Sequence, residues 1–444
     1  MLRKKLALLA ALALCAVLTG CAFSTSAEEL YRLPKLPTEY ESLEKQIDLL
    51  LANGMEHTSP MTGANLQSVQ MVDLDGDGAE EAVAFFVRAT DAKPMKVYIF
   101  KAQGESYEQY ALIEGTASSL YSIAYNDLNN DGRREILIGY KSGSGLQVLS
   151  VFSLADGEPE LLLSTVFSRY VLSDLDDGGR QELVVFRSSD AGGCLADCYA
   201  WNENEIELRS TVELSFAGAE LKYAAEGRLS DGVRAVLATG VADNVLSVTD
   251  ILVLQNGVLH NVAPGTGSRF DGLYPGDVNM DGFAELPEPI PYPAEDGEAE
   301  SYCRINWRQY ASDGTSQVVY RSFYDAQDGW SLALPKEWDE NVTVERTVSA
   351  DETAVMFCEW KNGARSDAFL AIRTVTGASR ELRGEMGDRF ILAQQADTVY
   401  SGELLKTDTK IQKIMDEQRL YDSFSLITGS WTAEEADGVD TVRD

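Results

Sequence analysis

Five segments of this chain share one acidic grammar and recur at nearly even spacing, and that repeat constrains the fold more than any other feature. They run from Asp73 to Glu81, Asp127 to Glu135, Asp174 to Glu182, Arg228 to Val236 and Asp277 to Glu285. Their starts stand 54, 47, 54 and 49 residues apart, a period that fits a four-stranded sheet unit. Within each period short apolar runs recur, in the first at residues 66–72, 82–87, 96–100 and 107–113. Second runs return at 136–140, 183–186 and 236–238, and third runs at 146–152, 198–201, 250–254 and 303–307. A four-stranded sheet has two faces that one neighbour cannot cover, and radial stacking covers both. The spacing therefore predicts a mainly β chain with a β-propeller of about five blades over residues 60–325. A solenoid fits less well because its coils are shorter, and isolated modules would leave long strand edges open.

The repeated loops also carry chemistry. Three of them keep oxygen-bearing side chains at positions one, three, five and nine: Asp73, Asp75, Asp77 and Glu81; Asp127, Asn129, Asp131 and Glu135; Asp277, Asn279, Asp281 and Glu285. Such alternation along a tight loop points hard oxygens at one centre, which suits Ca2+. Position seven would add a carbonyl oxygen, from Ala79, Arg133 and Phe283. Gly78, Gly132 and Gly282 hold position six, where a tight curl favours positive φ. The third loop has Gly178 at position five, leaving Asp174, Asp176 and Glu182 with Asp177 as a substitute; the sequence leaves its occupancy open. The fourth has Arg228 and Val236 at the outer ligand positions and is expected to bind no metal.

These segments resemble the FG-GAP or VCBS-type repeats of integrin-α-like propellers, over residues 60–325. That resemblance implies a calcium loop joining the first two strands of each blade, and it implies no particular activity. The layout from Gln67 to Gly78, with the closing Gly329-Trp330 segment, is similar to a group of lipoproteins from Clostridia-type bacteria. The run from Gly276 to Gly282 also looks like a dockerin loop. The prolines at 287, 289, 291 and 293 that follow rule out the helix a dockerin needs.

At the start, Arg3, Lys4 and Lys5 precede an apolar run from Leu6 to Leu18, short for a permanent span and typical of a secretory leader. Leu18-Thr19-Gly20-Cys21 reads as a lipobox. Residues 1–20 are expected to be removed, and Cys21 to carry a lipid that holds the protein at a membrane on the extracytoplasmic side. Residues 21–59 then form a tether and a short amphipathic helix, with Leu43, Ile47, Leu50 and Leu51 on one face. After the repeat, residues 326–431 read as a small α+β domain. Strand-like runs fall at 342–345, 354–360, 369–374 and 389–394, and a charged helical pattern at 407–424. Residues 432–444 form an acidic tail.

Charge excludes one partner class. The chain has 37 basic and 71 acidic residues, a net charge of −34, which repels nucleic acid and favours cations. Cys194, Cys198, Cys303 and Cys358 show no metal spacing. Cys194 and Cys198 lie four apart on one expected strand, about 13 Å from each other and too far for a bridge, so buried reduced thiols are the reading. His57 and His260, the only histidines, lack any catalytic context. Trp330, Trp338, Phe357 and Trp360 offer a ligand platform, although their alternating runs read first as core. The expectation for function is a non-catalytic binding or scaffolding protein for a glycan, peptide or envelope partner. The alternative is a hydrolase or lyase acting on polysaccharide through two carboxylates about 5–9 Å apart.

Overall fold

The computed structural model describes residues 38–427, apart from 105, 144, 156, 204, 243–245, 269–272, 296–301, 339–340 and 408–411. The expected leader, Cys21 as the expected lipidation residue, most of the expected tether and the acidic tail lie outside the described residues. The fold is mainly β, built of several antiparallel sheets that follow one another along the chain. Among the described residues no helix is long and apolar enough to cross a membrane.

Four sheets match the repeat in sequence order. The first joins Glu81–Val87, Met95–Gln103 and Ser106–Gly115, with Glu56–His57 and Val69–Val72 both paired to the outer edge of Glu81–Val87. The second runs through Ser119–Asn126, Glu135–Lys141, Gln147–Ala155 and Glu158–Val166, and the third through Arg169–Ser173, Glu182–Ser188, Gly193–Asn202 and Glu205–Ala217. The fourth takes Leu221–Arg228, Arg234–Ala242, Leu246–Gln255 and Val258–Asn261. Middle strands such as Glu81–Val87 and Glu135–Lys141 are buried at nearly every residue, whereas the last strand of the second sheet, Glu158–Val166, is largely exposed. That contrast explains why the middle strands read as unbroken apolar runs: both faces are covered.

The cores show how they are covered. Val83, Phe85, Val97 and Ile99 of the first sheet pack on Ile136, Ile138 and Leu120 of the second. The second sheet turns Leu137, Leu149 and Val151 towards Leu172, Leu183 and Val185 of the third, which turns Val184, Phe186 and Ala196 towards Val236, Ala238 and Leu252 of the fourth. Alternate residues of one strand thus serve two different cores, as the two-residue period of a strand requires. The far face of the first sheet, with Ala84, Phe86, Tyr98 and Phe100, is covered by the helix Thr38–Ala52 through Leu43, Ile47, Leu50 and Leu51. The expected amphipathic helix is present and is used for packing.

The end of the chain departs from the sequence reading in detail. Trp330–Ala333 is a strand of the fifth sheet, paired with Ser316–Asp325, and Phe424–Leu426 adds to its other side. The segment 342–404 forms a five-stranded sheet of its own, in the order Val342–Val348, Glu352–Lys361, Ala364–Val375, Val399–Leu404 and Arg389–Gln394. Among the described residues after 329, helix is confined to short pieces, Lys336–Trp338, Arg380–Gly384, Gln412–Ile414 and Glu417–Ser423, where one longer helix over 407–424 was expected. Phe424 reverts to strand because it packs on Trp330 and Tyr400. Trp330, Trp338 and Phe357 are buried together in the core shared by the fifth and sixth sheets, so they make no ligand platform. Trp360 stays half-buried at the end of its strand.

Candidate functional site: the acidic loops

Four loops adopt one geometry. In each, the glutamate at position nine is buried, with Glu81 at 1% exposure, Glu135 at 2%, Glu182 at 5% and Glu285 at 0%. One carboxylate oxygen accepts the N–H of position two, from Leu74, Leu128, Leu175 and Val278, at 2.8 to 2.9 Å. The aspartate at position one accepts the N–H of position six, from Gly78, Gly132, Gly179 and Gly282, at 2.8 to 3.0 Å. Those glycines have φ between +82° and +88°, as the sequence predicts for three of them.

The sequence reading missed a second left-handed residue, at position four. It is glycine only in the first loop, where Gly76 has φ +73°; Asn130, Asp177 and Met280 take φ of 58°, 53° and 60°. Asparagine and aspartate tolerate that region, which is strained for methionine.

The carboxylates gather as the spacing requires in three loops. Asp73, Asp75 and Glu81 form one cluster, Asp174, Asp176 and Glu182 a second, and Asp277, Asp281 and Glu285 a third, each with oxygens within 4.8 Å of one another. These clusters could hold a metal ion. In the second loop Asp127, Asn129 and Asp131 are tied together: the Asp131 N–H donates to Asp127 and Asn129, and the Asn129 amide donates to Asp131 at 3.0 Å. The fifth loop repeats that network with Asp277, Asn279 and Asp281. The N–H groups of Ala79, Arg133 and Phe283 at position seven each donate to the position-five aspartate. Asp177 is no substitute ligand in the third loop; it is exposed and pairs with Arg234 at 3.2 Å. Gly178 instead donates its N–H to Asp174 and Asp176.

The fourth segment is a shorter turn. Arg228 pairs directly with Arg234, so only residues 229–233 intervene, and Val236 lies within the strand rather than at a ninth loop position. Asp231 there accepts from Ser312. The turn has neither the length nor the ligand positions of the other four loops.

Crowded oxygens carry an electrostatic cost. Burial, with nearby aspartates adding to it, pushes the Glu135 and Glu182 carboxyls up to about 7 and shifts Glu81 and Glu285 the same way. A cation in the loop would remove that penalty.

Backbone hydrogen bonds link the first three loops in a row and join the fourth turn to the fifth loop, while the Arg234–Asp177 ion pair bridges the third loop and the fourth turn. The Arg134 N–H donates to the Leu74 carbonyl at 2.8 Å, Gln181 to Leu128 at 3.1 Å and Ala284 to Arg228 at 2.8 Å. The first two loops also touch at glycine: a Cβ on Gly76 would lie 2.2 Å from the Gly132 carbonyl oxygen, whereas one on Gly78 would meet nothing within 4 Å. In the presence of a chelator, Gly78→Ala is expected to cost about 1 kcal/mol for its positive φ alone. Gly76→Ala should cost about 2–4 kcal/mol, because two loops must separate. Equal melting temperatures for the two variants would show that the loops are not in contact.

The remaining candidates do not converge on a site. His57 is an exposed edge residue stacked 4.9 Å from Phe86, and His260 is exposed on the strand Val258–Asn261. Cys194, Cys198 and Cys358 are free thiols. Burial raises the Cys194 and Cys198 thiols to about 12 and Cys358 to about 11, which keeps them unreactive. Cys303 is only half-buried, against the expectation for all four.

No family model and no curated relative matches the chain. Among solved structures it is similar to a rhamnogalacturonan lyase of Bacillus licheniformis, at 11% identity and a TM-score of 0.32 over 70% of this chain and 77% of that one. It is also similar to an exo-beta-1,3-galactanase of Phanerochaete chrysosporium, at 10% identity and 0.26 over 72% and 79%. Likeness this slight carries no argument for fold or activity.

Proposed function

We propose that this chain is a lipid-anchored, extracytoplasmic calcium-binding protein whose stacked sheets form a propeller-type scaffold for a glycan, peptide or envelope partner. The observation that carries the reading is the four buried glutamates in loops of one repeated geometry, three of them clustered with aspartate oxygens. Calcium suits such sites because it takes six to eight oxygens in flexible arrangements. The donors would be Asp127, Asn129, Asp131, the Arg133 carbonyl and Glu135 in the second loop, and Asp277, Asn279, Asp281, the Phe283 carbonyl and Glu285 in the fifth. The third would use Asp174, Asp176 and Glu182. The first offers Asp73, Asp75, Asp77, the Ala79 carbonyl and Glu81, with an ammonium already among them.

Support for a propeller-type stack comes from sheets that meet face to face in sequence order and from the backbone bonds that join the first three loops and the last two. In this reading the helix Thr38–Ala52 takes the place of a neighbouring blade on the first sheet. A groove of about 410 Å³ between the first and second sheets, lined by Glu114, Thr116, Tyr140, Ser142, Leu146 and Ser164, mixes apolar surface with hydroxyls, as a sugar or extended peptide requires. It runs from Gly115 and Tyr140, at the strand ends away from the loops, to Phe152 and Leu161 nearer them, so ions in the loops would brace its walls.

Calorimetric titration of the soluble form beginning at residue 22 tests the metal. Uptake at about 10⁻⁴–10⁻³ M calcium is expected, with Asp131→Ala and Asp281→Ala each removing one ion. No uptake at millimolar calcium would sink the reading. Turnover of a glycan panel, abolished by one carboxylate substitution, would replace the binding role with a polysaccharide hydrolase or lyase.

A further inference from the structure

We propose that Lys101 is the resident cation of the first loop, and that the residue facing the position-nine glutamate across the sheet decides which loops are open to a metal. The inference rests on the calcium reading of the other loops. The Lys101 ammonium lies among the first loop's carboxylates, bonded to Asp75, 2.9 Å from Asp77 and 3.4 Å from Glu81. A divalent ion bound there would share those oxygens with a second positive charge at contact distance, which is repulsive in a partly buried site.

The placement is built into the sheet. The strand paired to the one that leaves the loop carries a β-bulge at Ile99/Phe100, Val151/Phe152 and Cys198/Tyr199 in the first three sheets and at Trp307/Arg308 in the fifth, where Glu285–Pro291 pairs with Cys303–Tyr310. Bulges re-aim the side chains beside them. The residue just after each bulge faces the loop: Gln309 pairs with Glu285 directly, and the same register sets Lys101, Ser153 and Ala200 opposite Glu81, Glu135 and Glu182. Ser153 and Ala200 are too short to enter. Gln309 reaches Asp281 and Glu285 at 2.7 Å, but its amide is neutral and can turn its oxygen to an ion. Lys101 alone brings a charge. The first loop also has Asp75 where the second and fifth have Asn129 and Asn279, so the extra carboxylate is matched by the ammonium.

Calcium calorimetry and thermal melts of wild type, Lys101→Met and Lys101→Gln test this, the glutamine variant copying the fifth loop should methionine fold poorly. The open variants should bind one ion more than wild type, and adding Asp73→Asn should remove that ion from them while leaving the wild-type stoichiometry unchanged. In EDTA they should melt below wild type and recover with calcium. Loss of an ion from wild type on Asp73→Asn alone would overturn the proposal. If no chain binds calcium, the calcium reading itself fails, and the melts in EDTA decide the ammonium's role: equal melting sinks it, lower melting of the variants upholds it.

Discussion

Trp330→Ala should lower the stability of the protein by about 3–5 kcal/mol, the usual cost of emptying a fully buried aromatic site. Trp330 is 0% exposed and its ring lies 5.4 Å from Phe323 and 5.8 Å from Phe424. Phe323 belongs to Ser316–Asp325 and Phe424 to the last described strand, so the indole joins segments about a hundred residues apart in sequence. Its Nε1 has no hydrogen-bond partner among the described residues, so Trp330→Phe loses only contact area and should cost less than about 2 kcal/mol. A chain ending at residue 328 should fare worse than either variant. It lacks the strand Trp330–Ala333 that pairs with Ser316–Asp325 and strips the cover from Phe323. Against a total of about 5–15 kcal/mol for a typical domain, such a chain is expected to aggregate or lose protection throughout the fifth sheet. An unchanged melting temperature for the truncation would show that 329–444 is an independent appendage.

That junction also shows where sequence reasoning stops. Middle strands such as Glu135–Lys141 were legible because burial on both faces leaves an apolar run, and the loops were legible because their chemistry sits in side chains at fixed spacing. Trp330 was visible as a residue, but nothing local says that its strand completes the preceding sheet rather than starting a new unit. Val399–Leu404 was missed although it pairs with two strands, because its Ser401, Gly402 and Glu403 break the apolar pattern. The bonds from Arg134, Gln181 and Ala284 to the neighbouring loop were invisible for a different reason: backbone groups leave no mark on residue identity. Lys101 had no signature either, since an isolated lysine 26 residues from Asp75 acquires meaning only through the register that sets it beside Glu81.

Chelation should then have the second large effect. If three open loops each bind with a dissociation constant of about 10⁻⁴–10⁻³ M, raising free calcium to 10 mM stabilises the folded state by roughly 1.4–2.7 kcal/mol per ion, or about 4–8 kcal/mol together. The melting temperature should fall by several degrees in EDTA and return with calcium. The row of loops predicts where the loosening begins. Without the ion, the buried glutamates and their aspartate neighbours repel one another, the loop widens, and the carbonyls of Leu74 and Leu128 move relative to the N–H groups they accept. Amide exchange at Arg134 and Gln181 should therefore accelerate before that of the sheet centres at Val83, Ile138 and Val184, which are fully buried. Ser230, whose N–H donates to the Tyr310 carbonyl from a turn that holds no ligand set, should show no calcium dependence. Uniform acceleration across all of these amides would mean that the ions stabilise the chain globally rather than by fastening one rim.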